Sequence, residues 1–311
     1  MWPSTRPSPR SSHQALEKQG DWGHRPQFSP FLLFGGEAAK KEKTETFIIS
    51  MQLHNKVAIV TGVNREIGLA MAEELAAAGA RVLAAHYGEV ERVQPLVERV
   101  RANGGVIELV DADLRVVAEC RRVVAEAVAR FGRVDILAAN AGLSLGHAFL
   151  DEDEATFDTL IELNLKGSFF CAQAAARQMA AQGREGLEHT PYRIVFTASV
   201  TGVRAAPGVA AYAVTKAGIC HLATTLAAEI GQYGITVNAI APGAISNERN
   251  LANDPEYDSR WAALSPAGRV GQPGDIARAL RFLVSPDAAW ISGQTLIVDG
   301  GWSVQGFYPA S

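Results

Sequence analysis

Cysteine is scarce: the chain has three in 311 residues, Cys120, Cys171 and Cys220. They lie far apart, form no CxxC pair, and each falls in an apolar helical stretch. That pattern excludes a disulfide scaffold and points to packed, reduced thiols. Reduced thiols fit a reducing compartment, so a cytoplasmic location is expected. Long apolar runs are missing too. FIIS and ALRFLV fall far short of the ~20 residues that a membrane span needs, so no membrane role is expected. An excess of positive charge is also lacking. With 29 Lys and Arg against 33 Asp and Glu the formal net charge is −4, and no basic stripe runs through the globular part, which argues against a nucleic-acid partner. No internal repeat is found, and no metal is expected. What is present is ordinary globular composition, 48% hydrophobic and 20% charged, enough to bury one large core without a second domain.

Residues 1–50 carry no helical or strand period. Pro, Ser and Arg cluster in STRPSPRSSH, followed by a short FLLF and the charge run KKEK. A secretory signal fails for want of a sustained apolar core, and the prolines work against the amphipathic helix of a transit peptide. MQLHNKVAIVTG from Met51 reads as a natural beginning, so residues 1–50 are expected to be a disordered tail or a start-site artefact, with the folded domain at 51–311.

From Lys56 onward, short apolar runs alternate with helical patterns: KVAIV, RVLAAH, VIELVDA, VDILAAN, RIVFTAS, ITVNAIAPG and QTLIVDGG are the strands. Helices of this length between strands make right-handed βαβ units. Continuous apolar strands suit a parallel sheet buried on both faces. The fold expected is α/β, a single doubly wound Rossmann-type domain with a mainly parallel, seven-stranded sheet. One long helix is expected from about Glu152 to Gln182, and a polar, irregular segment from about Ala244 to Arg269. Ligands of such folds sit at the carboxyl ends of the strands.

The first strand ends in Thr61-Gly62, and Ile67-Gly68 opens a helix, so a glycine-containing turn meets a helix N-terminus suited to a diphosphate. Within an apolar helix, YAVTK puts Tyr212 and Lys216 at i and i+4, on one face. A neighbouring ammonium would favour the phenolate and bring a tyrosine closer to useful proton transfer at neutral pH. Upstream, Ser199 follows the strand RIVFTAS, where its hydroxyl can help bind a carbonyl or alcohol oxygen.

With these residues in place the chain resembles the short-chain dehydrogenase/reductases, over nearly all of the sequence from Gln52. TGVNREIG resembles the family's TGxxxGxG, Asp113-Leu114 its adenine-contacting pair, and AANAG, with Asn140, Ala141 and Gly142, its NNAG motif. ELNLKG sets Asn164 at the family's catalytic asparagine, and Ser199, Tyr212 and Lys216 fill the rest of that tetrad. NAIAPGAIS is similar to the PG motif beside the nicotinamide; GRVGQPGDIA and GQTLIVDGGW are similar to the C-terminal signature. The resemblance implies that Gly62, Asn64, Arg65, Ile67, Gly68, His86, Asp113, Leu114, Asn140, Ala141, Gly142, Tyr212, Lys216, Pro242, Gly243 and Ile245 bind the cofactor. It also implies a homo-oligomer, a tetramer or a dimer, and similarity to 3-oxoacyl-carrier-protein reductases and sugar or polyol dehydrogenases.

Three residues depart from the family pattern: Glu66 replaces a loop glycine, Ala139 an asparagine, and Asn247 a frequent threonine. A carboxylate beside a pyrophosphate is repulsive, so the Glu66 side chain is expected to turn to solvent or pair with Arg65, at a helix N-terminus that favours it. His86, followed by Tyr87, occupies the end of the second strand, where an NAD-preferring site puts an acid. With that acid absent and Arg65 in the loop, NADP(H) is the expected cofactor and NAD(H) the alternative. The expected activity is hydride transfer between NADP(H) and a small-molecule carbonyl or secondary alcohol, with Tyr212 as general acid/base. The alternative is a catalytically idle nucleotide-binding or scaffolding protein of the same fold. Residues 244–269, with Asn247, Glu248, Arg249, Tyr257, Arg260 and Trp261, form the expected lid, and Ser144 and His147 are expected to face the pocket.

Overall fold

The central strands form where small and β-branched residues can be covered on both sides. A computed structural model describes residues 53–183 and 191–305; the expected tail at 1–50 lies outside the described residues. The elements run β1 (Val57–Thr61), α1 (Glu66–Ala77), β2 (Arg81–His86), α2 (Val90–Ala102), β3 (Val106–Asp111), α3 (Val117–Phe131) and β4 (Ile136–Ala139). They continue with α4 (Glu154–Leu160), α5 (Ser168–Gln182), β5 (Tyr192–Thr197), α6 (Ala210–Ile230), β6 (Ile235–Pro242), α7 (Glu248–Asn253), α8 (Tyr257–Leu264), α9 (Pro273–Val284) and β7 (Thr295–Val298). The seven strands pair in the order β3-β2-β1-β4-β5-β6-β7, and every pairing is parallel.

Strand alternation divides the core into two layers. Val57 and Ile59 of β1 pack with Cys120 and Val123 of α3, Cys171 of α5 and Ile219 of α6. Ala58 and Val60 point the other way, to Met71 and Leu75 of α1, Leu96 of α2 and Leu280 of α9. The covering helices present the spacing this demands: Cys120, Val123, Val124 and Ala127 form the buried stripe of α3. Each fully buried Leu, Ile or Met contributes about 1.5–3 kcal/mol. Only the outer strands β3 and β7 are partly open. The N-terminus of α9 is fixed by Pro273 in the first turn and by a reciprocal capping box between Gln272 and Asp275.

Two sequence expectations change. The single helix expected across Glu152–Gln182 is α4 and α5 joined by a π-helical stretch, Ile161–Gly167. Such a widened turn is a frequent device at functional sites, and this one contains Asn164. The segment expected to be irregular, 244–269, holds the short helices α7 and α8. Strand order reverses between β1 and β4, so a crevice opens at their carboxyl ends, where Thr61 and Asn140 lie.

Candidate active site

On the β1 side, two glycines make the floor. Gly62 has φ +72°, and a Cβ there would sit 2.6 Å from Ala141 Cα. At Gly68 a Cβ would sit 2.2 Å from the Gly62 carbonyl, so the loop and the first turn of α1 are in direct contact. Thr61 Oγ1 accepts from the backbone N–H groups of Asn140 and Ala141, both at 3.0 Å. The Asn140 amide donates to the Thr61 and Gly62 carbonyls and accepts from Thr197 at 3.0 Å. Asn140 therefore stitches three strand ends together. Ile67 packs on the core below. No side chain caps the twelve-residue helix α1 at Arg65, so its first N–H groups and the glycine floor form a cradle fit for a diphosphate.

Glu66 is partly exposed and does not pair with Arg65. Its Oε1 accepts from the backbone N–H of Glu248, the first residue of α7, at 2.9 Å. Arg65 instead pairs with Glu89 at 2.8 Å, and Glu89 holds the left-handed φ of +44°. Arg92 pairs with Glu248 at 3.1 Å. The glycine loop, the turn after β2 and the lid are thus linked along one rim.

Behind that rim lies a cavity of about 260 Å³, whose lining includes Gly62, His86, Asp113, Leu114 and Gly142. Asn64 forms part of its wall: its amide donates to the Tyr87 and Gly88 carbonyls, and its oxygen accepts from Tyr87 N–H at 2.9 Å. His86 is buried with Nδ1 2.8 Å from the Gly88 carbonyl, so Nδ1 carries the proton and donates. Asp113 is held by Arg115 at 2.6 Å, and this pairing draws its carboxyl below the usual range. The Arg115 guanidinium lies over the Tyr87 ring, 5.6 Å from its centre. The dimensions and the mixture of apolar wall and polar rim fit an adenosine moiety.

At the other end of the crevice, β4, β5, α6 and the π turn bring four side chains together. Asn164 is fully buried: Oδ1 accepts from Leu143 N–H at 2.8 Å, and Nδ2 donates to the Leu143 carbonyl and to Thr215 Oγ1. Lys216 Nζ donates to the Thr197 carbonyl at 2.7 Å and lies 5.7 Å from the Tyr212 ring centre. A Cβ at Gly142 would come within 3.0 Å of Asn164 Oδ1 and 3.3 Å of Lys216 Nζ, so the backbone at Gly142 passes directly over that pair. Ser199 Oγ accepts from Thr201 N–H at 3.2 Å and Thr201 Oγ1 at 3.0 Å. That leaves its own proton free to donate. Pro242 and Gly243 close the wall at the end of β6, where a Cβ at Gly243 would meet Asp299 at 2.6 Å. Ile245 is buried beyond them and bridges to Gly271.

Burial sets the electrostatics here. It lowers the Lys216 ammonium to about 8. Burial also raises the Tyr212 phenol, while the Ser199 hydroxyl and the charge of Arg249 draw it back. The Lys216 ammonium is anchored on the Thr197 carbonyl and is itself desolvated.

Thr61, Thr197 and Thr215 were not singled out from the sequence, although each orients a site residue. Thr61 precedes the glycine turn and Thr215 lies inside YAVTK, so proximity to the motifs is the available signal. Ser144 meets the site through its carbonyl, which accepts from Arg249 at 3.1 Å. His147 is exposed and pairs with Glu152 at 3.1 Å. Asn247, the third departure, caps α7 by accepting from Asn250 N–H at 2.9 Å. Tyr257 and Trp261 pack in a tilted pair, and Trp261 meets Trp302 edge-on. Among the described residues no three His, Cys, Asp or Glu side chains converge to hold a metal.

Fold and site define an oxidoreductase of the doubly wound, dinucleotide-binding class. A family model described as enoyl-(acyl carrier protein) reductase matches residues 62–303. L-Rhamnose 1-dehydrogenase (NAD(P)(+)) of Azotobacter vinelandii is 38% identical over 256 residues, 81% of this chain and 98% of that protein. A 3-oxoacyl-[acyl-carrier-protein] reductase of Staphylococcus aureus is 37% identical, covering 79% of this chain and 97% of its own length. The structure of a 7α-hydroxysteroid dehydrogenase complexed with NADH and 7-oxo glycochenodeoxycholic acid superposes with a TM-score of 0.75 at 33% identity, over 81% of this chain and 96% of that one. The chain belongs to the short-chain dehydrogenase/reductase family, NAD(P)-dependent enzymes that act on alcohol or carbonyl groups.

Proposed function

We propose that this protein transfers hydride between NADP(H) and a ketone or secondary alcohol, with Tyr212 as general acid in reduction and general base in oxidation. The observation that carries this reading is the convergence of Ser199, Tyr212, Lys216 and Asn164 at the end of a crevice whose other end fits an adenosine diphosphate. The bound nicotinamide supplies or takes the hydride. Tyr212 gives its phenolic proton to the substrate oxygen, and Ser199, oriented by Thr201, donates a second hydrogen bond to it. Lys216 has donors left beyond Thr197 and takes the nicotinamide ribose. Asn164 fixes the loop at Leu143 against α6 and is assigned the water relay to Lys216 that the family resemblance implies.

For the cofactor, β2 ends in His86 and not in an acid, and the cavity lining sets Arg65 and Arg115 beside the carboxylates Glu89 and Asp113. Both arginines are paired with acids, Glu89 and Asp113, so a 2′-phosphate would compete with Glu89 for Arg65. NADP(H) is the preferred reading and NAD(H) the second; the relatives' names include both forms. The idle-scaffold alternative rests on Glu66, and the hydrogen bond that engages this carboxylate at Glu248 N–H favours the enzyme reading over it. A homo-oligomer is supported by a groove along α5 and the end of α6, where Phe169, Leu226, Ile230 and Tyr233 lie beside Gln173, Arg177 and Glu229. The three free cysteines support a cytoplasmic location, and the catalytic domain is assigned to 51–311. The test is a titration with NADPH and NADH by nicotinamide fluorescence, followed by a ketone panel. Binding with turnover supports the enzyme; binding without any turnover returns the idle reading.

A further inference from the structure

Arg249 lies in the first turn of the lid helix α7 and reaches back across the mouth of the site. Its Nη1 donates to the Ser144 carbonyl at 3.1 Å, on the loop leaving β4. The neighbouring residue of that loop, Leu143, is bonded to Asn164. Burial raises the Tyr212 phenol, and burial with the Asp258 charge raises that of Tyr257 of α8; the Arg249 charge draws both part of the way back. It therefore sits between the lid and the group that delivers the proton.

The other arginines of the rim and lid are neutralised. Arg65 pairs with Glu89 at 2.8 Å, Arg92 with Glu248 at 3.1 Å, Arg260 with Asp254 at 3.2 Å, and Arg269 with Asp275 at 2.7 Å. Among the described residues no carboxylate lies within 4.0 Å of the Arg249 guanidinium. Acids on adjoining segments are each engaged through one oxygen: Asp258 Oδ2 accepts from Ser246 at 2.8 Å and Glu152 Oε1 lies 3.1 Å from His147, while Asp258 Oδ1 and Glu152 Oε2 are buried without a hydrogen-bond partner. Arg249 is thus a cation with no carboxylate paired to it among the described residues, with one of its five N–H donors engaged on a carbonyl and its charge felt at the Tyr212 phenol. A planar fork of this kind matches a carboxylate with two parallel hydrogen bonds. A neutral sugar or thioester offers it no opposite charge.

We propose that Arg249 binds the carboxylate of the substrate, so that the preferred substrates are oxo acids or the matching hydroxy acids. This assignment rests on the reductase reading of the same site.

Initial rates with NADPH across 2-, 3- and 4-oxo acids and their methyl esters test it. For at least one chain length, kcat/KM for the acid should exceed that for the ester by about tenfold or more, the worth of a charge-assisted hydrogen bond, with the difference carried in KM. Arg249→Met should bring the acid-to-ester ratio close to one, and Arg249→Lys should restore part of it. Equal rates for acid and ester at every length overturn the assignment, as does an Arg249→Met variant that lowers both in the same proportion. Reduction of neutral ketones alone also overturns it; each of these results leaves the reductase reading standing. Reduction of no acid, ester or other ketone, by protein shown to bind NADPH, overturns both.

Discussion

Glu66 Oε1 accepts from the backbone N–H of Glu248 at 2.9 Å, joining two residues 182 positions apart. One is the residue that breaks the glycine pattern of the cofactor loop, and the other opens the lid helix. Glu66 is not among the residues with positive φ, so its backbone has no need of glycine, and its carboxylate satisfies one of the orphan N–H groups at the start of α7. The departure that looked damaging to cofactor binding is a tether between loop and lid.

Glu66→Ala should leave the fold intact and free the lid. A half-exposed hydrogen bond to a charged group is worth about 1 kcal/mol, or about fivefold in affinity. NADPH release should therefore quicken by roughly that factor, while Glu66→Gln, which keeps the acceptor oxygen, should stay near wild type. Stopped-flow nicotinamide fluorescence measures both.

Gly68→Ala should be far more damaging, although it is the smaller change. The added Cβ would meet the Gly62 carbonyl at 2.2 Å and the Asn140 amide at 2.9 Å, and neither can move without displacing the crevice floor. Overpacking of this kind costs about 1–3 kcal/mol, which lowers Tm by several degrees in a domain of this size, at about 2–4 °C per kcal/mol. A thermal melt reads the stability, and loss of NADPH binding reads the floor.

Lys216 gives the pH dependence its sign. Burial lowers its ammonium from the ordinary value of 10.5 to about 8, so the charge is present below that pH and lost above it. Reduction should decline as pH rises through about 8, and Lys216→Arg, always charged, should move that limb upward even if its rate is lower. Stability runs the other way. Between about 8 and 10.5 the unfolded chain binds the proton and the folded one does not, so this group favours folding increasingly as pH rises. Rate and denaturation profiles over the same range check the two slopes.

Arg65 and Glu89 should trade roles in cofactor choice. Arg65→Ala should weaken NADPH by about tenfold, the worth of a charge-assisted contact with the 2′-phosphate, and NADH much less. Removing its partner in Glu89→Ala should tighten NADPH. Paired titrations with the two nucleotides measure the difference.

Much of this was legible in the sequence because strand periodicity and motif order are local. KVAIV and ITVNAIAPG became fully buried parallel strands as expected, and Tyr212 and Lys216 share a helix face by their spacing alone. What could not be read depends on contacts between distant segments. The π turn at Asn164 answers to Leu143 and Thr215, neither of which is its neighbour in sequence. For Glu66 the sequence offers only solvent or the adjacent Arg65, whereas its partner Glu248 lies 182 positions away. The desolvation that sets Lys216 and Tyr212 arises from packing, which residue spacing does not encode.

The most direct test compares wild type and Tyr212→Phe for NADPH oxidation in the presence of a ketone that the wild type reduces, with NADPH affinity measured on both. Loss of the phenolic proton should lower kcat by about 10²–10⁴-fold while NADPH affinity and Tm stay close to wild type. Turnover retained in Tyr212→Phe would contradict the account, because the proton would then come from a group other than the one that Ser199, Lys216 and Asn164 surround.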